Sequence, residues 1–191
     1  DGDMYTVTPT IHHDRERAMV KLPKKLGENE RVYLSTGFRA AIDRSLRGFY
    51  YSTWAHEGQM GRYALTQFEP TSARRAYPGW DEPAYKANFT FRMLHRVNTT
   101  ALANMPRAYE RSVGKEQIHQ LLQTRSFGLS LHQYNLDEWL LTEFETTPKM
   151  ATYLVAWANG AFLHVSNTTI SPLTGRVIPL RMYTTPDLIH Q

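Results

Sequence analysis

The feature that most constrains this chain is a period of two that keeps being cut short. The stretch GRYALTQF (residues 61–68) alternates so that Tyr63, Leu65 and Gln67 share one face of an extended strand, and Pro70 then removes the backbone donor a ladder would need. Short strand-like runs bounded by Gly, Pro and Asn recur along the sequence: alternating at Tyr5–Thr8 and Ala18–Leu22, aromatic at GFYYSTW (48–54), long and apolar at Met150–Trp157, and again at NERVYLST (29–36), Asn88–Leu94, Ala161–Val165 and Val177–Tyr183. Such runs bury one face each and require partners, so the fold class they predict is mainly β, with antiparallel strands. One segment breaks the pattern. GKEQIHQLLQTR (114–125) carries Ile118, Leu121 and Leu122 at helical spacing among strong helix formers, which predicts a single short amphipathic helix at about 112–126. His119 reads as an exposed residue on that helix. Between Pro70 and Pro83 the spacing predicts a turn or short helical piece at residues 71–76, and a helix start with Asp81 as its N-cap.

A chain of 191 residues fits one ordinary domain, and its 22 basic against 18 acidic residues give a net charge of +4 without any basic stripe. No Lys/Arg run interleaved with aromatics occurs, so nucleic acid is not an expected partner. The chain has no cysteine, which excludes disulfides, thiol catalysis and cysteine-based zinc modules. The eight histidines are scattered and none stands in a metal-binding spacing; His12-His13-Asp14 alternates across a strand or lies in a solvated turn and chelates poorly either way. No Ser occupies a nucleophile elbow, and no Gly-rich loop precedes a helix. No catalytic residue and no metal ligand is therefore assigned to this chain. No apolar run reaches the length of a membrane span, so direct membrane insertion by this segment is not expected. Three sequons, beginning at Asn88, Asn98 and Asn167, can accept N-linked glycans in a secretory compartment, or are chance matches in a Thr-rich chain.

What remains is the polar density after Leu65. With the backbone extended through Phe68, Gln67 and Glu69 project to one side and offer an amide and a carboxylate to a single ligand, a pair suited to an ammonium group. The residues equally allow Glu69 to pair with Arg74 or Arg75 and pin the following turn.

Four stretches in order resemble a known family. GFYYSTW (48–54), TQFEPTSARRAYPGWDEPAYKANF (66–89), ALANMP (101–106) and FETTPKMATYLVAW (144–157) are similar to motifs of the N-terminal domain of zinc metallo-aminopeptidases of the aminopeptidase N and oxytocinase type. The resemblance implies a saddle-shaped antiparallel β domain over residues 1–185, lacking its first strands, with residues 186–191 beginning a linker to a catalytic domain that would carry the zinc. It implies that Gln67 lines the pocket for the first side chain of a peptide and that Glu69 binds its free α-ammonium. A partly desolvated carboxylate on an ammonium contributes roughly 1.5–3 kcal/mol, and an internal peptide segment would leave that carboxylate unpaired, so such a site selects chain ends. The expected partners are a peptide N-terminus and the catalytic domain of the same chain, and the expected location is the secretory pathway, lumenal or extracellular. The piece alone should be inactive and hold no cofactor of its own. The alternative is a non-catalytic peptide- or protein-binding β domain derived from such an enzyme. Asp81 and Glu82, tempting as paired carboxylates, are mainly architectural in the family. Departures are Tyr77 for Phe, Gly79 for Cys, Ala103 and Ala151 for Ser, and a longer spacer between Pro106 and Phe144.

Overall fold

A computed structural model describes residues 4–123 and 138–190. The chain divides into two compact units, Asp1–Thr36 and Gly37–Gln191. In the first, β1 (Thr10–His12) and β2 (Arg17–Met19) form an antiparallel hairpin, with Thr10 opposite Met19, around a 3-10 turn at His13–Arg15. The strands expected at Tyr5–Thr8 and at residues 29–36 do not form. Strand structure exists only where a ladder partner is present, and Val32, Tyr33 and Leu34 lie exposed with none.

The second unit is mainly β, as the alternation requires. Strands β3 (Gly48–His56) and β4 (Gln59–Gln67) make a long hairpin closed by Glu57 and Gly58, both at positive φ (47° and 76°), the two-residue turn whose twist matches the strands. They belong to a four-stranded antiparallel sheet of order β3-β4-β9-β6, with β6 at Thr100–Ala103 and β9 at Trp157–Gly160. A three-stranded sheet of order β5-β8-β7 joins Arg92–Arg96, Trp139–Phe144 and Arg107–Val113. Between β7 and β8 lies α1 (Lys115–Gln123), the helix expected at 112–126. Its Ile118 is almost fully buried with Val113 and Leu141, which explains why a nine-residue helix holds here: packing, not propensity, fixes it. Residues 124–126 and the side chains of His119, Leu121 and Leu122 lie outside the described set.

A last hairpin pairs β10 (Leu163–Ile170) with β11 (Val177–Thr184) over eight residues each, with Val165 opposite Met182 and Asn167 opposite Leu180. Facing residues of an antiparallel pair point the same way, so Leu163, Val165, Ile178, Leu180 and Met182 share one exposed apolar face, and Asn167 stands within it.

The main core gathers where the four-stranded sheet meets the loop after β4. Phe68, Ala73, Ala76 and Val155 are buried, and Trp157 sits at the centre of an aromatic group, 5.2 Å from Phe68, 4.8 Å from Phe91 and 5.5 Å from Phe49. This core corrects two expectations. The run Met150–Trp157 is not one strand: Met150 bridges to Ala87, Thr152–Leu154 forms a 3-10 turn, and pairing resumes only at Trp157. The run is apolar because it threads the core, not because both faces of a strand are covered. The strand expected from Asn88 likewise starts only at Arg92, since Phe89 is held through its N–H by the Thr147 hydroxyl at 3.0 Å instead of a continuous ladder.

Candidate functional site

The end of β4 is set by three residues with different fates. Gln67 closes the strand opposite Gly48, Phe68 turns inward and is 2 % exposed, and Glu69 follows as an exposed residue in a turn, joined to Pro70 by a cis peptide bond. The turn is closed by the Ser72 N–H donating to the Phe68 carbonyl at 2.6 Å and continues into the 3-10 turn Ala73–Arg75. Burying Phe68 is what holds Gln67 and Glu69 at the surface: both are exposed, and neither side chain has a hydrogen bond or ion pair among the described residues.

Gly48 gives this corner its shape. Its φ is +69°, and a Cβ there would lie 2.8 Å from the Arg75 Cβ, so only glycine lets the 3-10 turn seat against the strand end that faces Gln67.

The pairing of Glu69 with Arg74 or Arg75 does not form. Arg74 is instead fastened to Asp81, its Nε at 2.8 Å and its backbone N–H at 3.2 Å from Oδ2, while the Thr152 hydroxyl donates to Oδ1 at 2.5 Å. Asp81 therefore does not start a helix, and none forms at residues 81–86. Its carboxylate oxygens are already occupied by the preceding turn and by Thr152. Burial pushes the Asp81 carboxyl up, but the hydrogen bonds from Arg74 and Thr152 outweigh it and hold the group below the usual range. Tyr77, beside this clamp, is pushed up to about 12 by burial, with the Asp81 charge adding to it. Its ring also stands over Gly79, where a Cβ would lie 3.4 Å away, so the paired departures at 77 and 79 fit one another. Glu82 is exposed, and its carbonyl accepts from the Tyr85 N–H at 2.9 Å.

The three sequon asparagines differ in their surroundings. Asn88 donates its Nδ2 to the Thr147 carbonyl at 2.8 Å, Asn98 tips the turn between β5 and β6, and Asn167 lies mid-strand in β10.

Two arrangements have no signal in the sequence. His95, 3 % exposed, places Nε2 2.8 Å from the Thr142 hydroxyl, which donates to Glu110 Oε2 at 2.6 Å; its Nδ1 lies 3.1 Å from Thr99 Oγ1 and 3.0 Å from the Arg96 carbonyl oxygen. These residues meet only through the register of β5, β8 and β7. Burial pushes the His95 imidazole below its ordinary value, against the opposing pull of the Arg96 carbonyl and Glu110. Burial also raises Glu110, yet the hydrogen bonds from Thr142 and Arg107 bring it down overall. The second is an open depression of about 590 Å³ beside the β3–β4 turn, walled in part by Trp54, Arg62, Asn98 and Phe162. Among the described residues no group of three or more His, Cys, Asp or Glu is placed to hold a metal ion, and no helix is long and apolar enough to cross a membrane.

These features define a class: a mainly β domain that presents an amide and an unpartnered carboxylate at one strand end, on a corner braced by an Arg–Asp clamp. Residues 3–126 match the Peptidase M1 N-terminal domain family, and the chain belongs to that family. It is 32% identical over 173 residues to the thyrotropin-releasing hormone-degrading ectoenzyme of Homo sapiens, covering 91% of this chain and 14% of that protein. With endoplasmic reticulum aminopeptidase 2 of Homo sapiens it shares 33% identity over 178 residues, 92% of this chain and 16% of the relative. Aminopeptidase M1 of Arabidopsis thaliana is 34% identical over 144 residues, 75% of this chain and 14% of the relative. The chain thus spans 14–16% of the length of these relatives.

Proposed function

We propose that this chain is the substrate-recognition domain of a zinc metallo-aminopeptidase, in which Glu69 binds the α-ammonium of a peptide and Gln67 lines the pocket for its first side chain. The observation that carries the reading is the state of Glu69: exposed, next to Gln67 across the buried Phe68, and without a partner although Arg74 is only five residues away. An exposed anion that no internal cation pairs is suited to an external one, and a ligand amine supplies it through a charge-assisted hydrogen bond. Relatives named as aminopeptidases support the same chemistry. The described residues do not fit a zinc site, so the metal and the activation of water are assigned to a catalytic domain of the same polypeptide.

The names of two relatives, an ectoenzyme and an endoplasmic reticulum aminopeptidase, support placement in the secretory pathway, lumenal or extracellular, where Asn88, Asn98 and Asn167 would meet the glycosylation machinery. In the whole enzyme, Glu69→Ala is expected to lower kcat/KM on free-amine substrates at least about tenfold, equivalent to about 1.4 kcal/mol of transition-state binding. No loss would sink the ammonium role. The polypeptide by itself should show neither stoichiometric zinc nor turnover of an aminoacyl anilide. The rival reading, a non-catalytic peptide-binding domain, predicts a reading frame without the G-A-M-E-N and H-E-x-x-H motifs.

A further inference from the structure

We propose that Asn98 carries an N-linked glycan whose first sugars lie in the depression beside the β3–β4 turn, against Trp54 and Phe162. The proposal rests on the secretory placement above for access to the glycosylation machinery, and on geometry for the rest. In the transfer, Asn98 Nδ2 attacks C1 of the lipid-diphosphate-linked oligosaccharide. The C1–N bond forms, the C1–O bond to phosphate breaks, Nδ2 gives up one proton and the lipid diphosphate departs. This happens on the extended chain, so the fold decides what the sugar meets afterwards.

Asn98-Thr99-Thr100 occupies the turn from β5 to β6, closed by the Thr99 N–H donating to the Arg96 carbonyl at 3.0 Å. Asn98 is exposed, and its side chain has no hydrogen-bond partner among the described residues, so a sugar on Nδ2 displaces nothing. The other two sequons are placed differently. Asn88 spends its Nδ2 on the Thr147 carbonyl, a bond that closes the chain against residues 146–150. Asn167 stands within the apolar face of the β10–β11 hairpin, opposite Leu180.

Asn98 is also part of the depression's wall, so a glycan attached there starts inside it. At about 590 Å³ the space is within the roughly 300–1,000 Å³ typical of small-ligand sites. Its lining suits a pyranose: Trp54 and Phe162 offer apolar surface to C–H faces, and His56, on the same face of β3 as Trp54, offers a polar partner to hydroxyl and acetamido groups. The Trp54 ring is held in place because its cross-strand partner is Gly61, where a Cβ would lie 2.3 Å from the indole. Phe162 is steadied by an edge-on contact with Tyr63 at 5.8 Å. Tethering replaces intrinsic affinity, since a covalently attached sugar samples the depression at high effective concentration.

The test uses the protein secreted from a eukaryotic host behind a cleavable signal sequence. Enzymatic deglycosylation in 18O-water converts each occupied Asn to 18O-labelled Asp, and peptide mapping should find the label at position 98; an unlabelled Asn98 in the secreted folded protein overturns the modification. The seat is read from indole 1H–15N signals of wild type against Asn98→Gln, with Trp54 assigned through Trp54→Phe or, should that fail to fold, Trp54→Tyr. The Trp54 signal should shift while those of Trp80, Trp139 and Trp157 stay put. An occupied Asn98 with an unmoved Trp54 signal overturns the seat. Because the signal sequence is supplied, neither negative result bears on the aminopeptidase reading, which stands or falls with Glu69.

Discussion

Replacing Gly48 by alanine isolates the contact that shapes the candidate site, because Gly58 provides an internal control. Both glycines sit in the left-handed region, at φ +69° and +76°. Alanine in that region costs about 1–2 kcal/mol, so this cost is common to both variants. The positions differ in space: nothing lies within 4 Å of a Cβ at 58, whereas a Cβ at 48 would lie 2.8 Å from the Arg75 Cβ, a backbone-anchored atom that cannot swing away. Relieving that overlap moves the 3-10 turn Ala73–Arg75 and with it the buried Ala73 and Ala76, an overpacking cost of about 1–3 kcal/mol. Gly58→Ala is therefore expected to lose about 1–2 kcal/mol and Gly48→Ala about 2–5 kcal/mol. Urea unfolding followed by tryptophan fluorescence measures both, because Trp54, Trp80, Trp139 and Trp157 all lie in the unit Gly37–Gln191. Equal losses in the two variants would refute the seating of the turn against Gly48, and with it the account of how Gln67 and Glu69 are presented.

Two further outcomes follow from the charged groups. Asp81→Ala removes the acceptor of Arg74 and Thr152 from a side chain that is only 10 % exposed and should cost about 2–3 kcal/mol; a loss below about 0.5 kcal/mol in the same urea assay would show that the clamp does not brace the corner. His95 has a folded-state pKa lowered by burial below 6.5, so the unfolded chain binds its proton more readily. Its contribution to stability is fully present above pH 6.5 and is lost as the pH falls through the folded value, so the urea midpoint should decline from pH 7.5 to 5.5 in wild type and less so in His95→Gln. An identical decline in both would exclude His95 as its source.

Much of the fold was legible because short-range rules govern it. Strand-like runs located β3, β4 and β11, helical spacing around Ile118 located α1, and the run Ala161–Val165 caught only the start of β10. The failures share a cause. Residues 29–36 carry strand formers at Val32, Tyr33 and Leu34, yet a ladder needs a partner that sequence pattern does not name. Met150–Trp157 is apolar except for Thr152, a composition that a strand and a core-threading turn produce alike.

The site divides along the same line. By itself the sequence placed Gln67 at the end of an alternating strand and stopped that strand before Pro70, from a two-residue period and a missing N–H, but it carried the extended backbone on to Glu69, which the structure puts beyond the strand end in the turn. It left open whether Glu69 pairs with Arg74 or Arg75. Only the tertiary structure decided that, by bringing Asp81, itself held by Thr152, to Arg74 and leaving Glu69 alone. The physical reason is the range of each interaction: alternation acts between neighbours, whereas a charge pairs with whatever the folded core carries to it, here across 71 residues between Asp81 and Thr152.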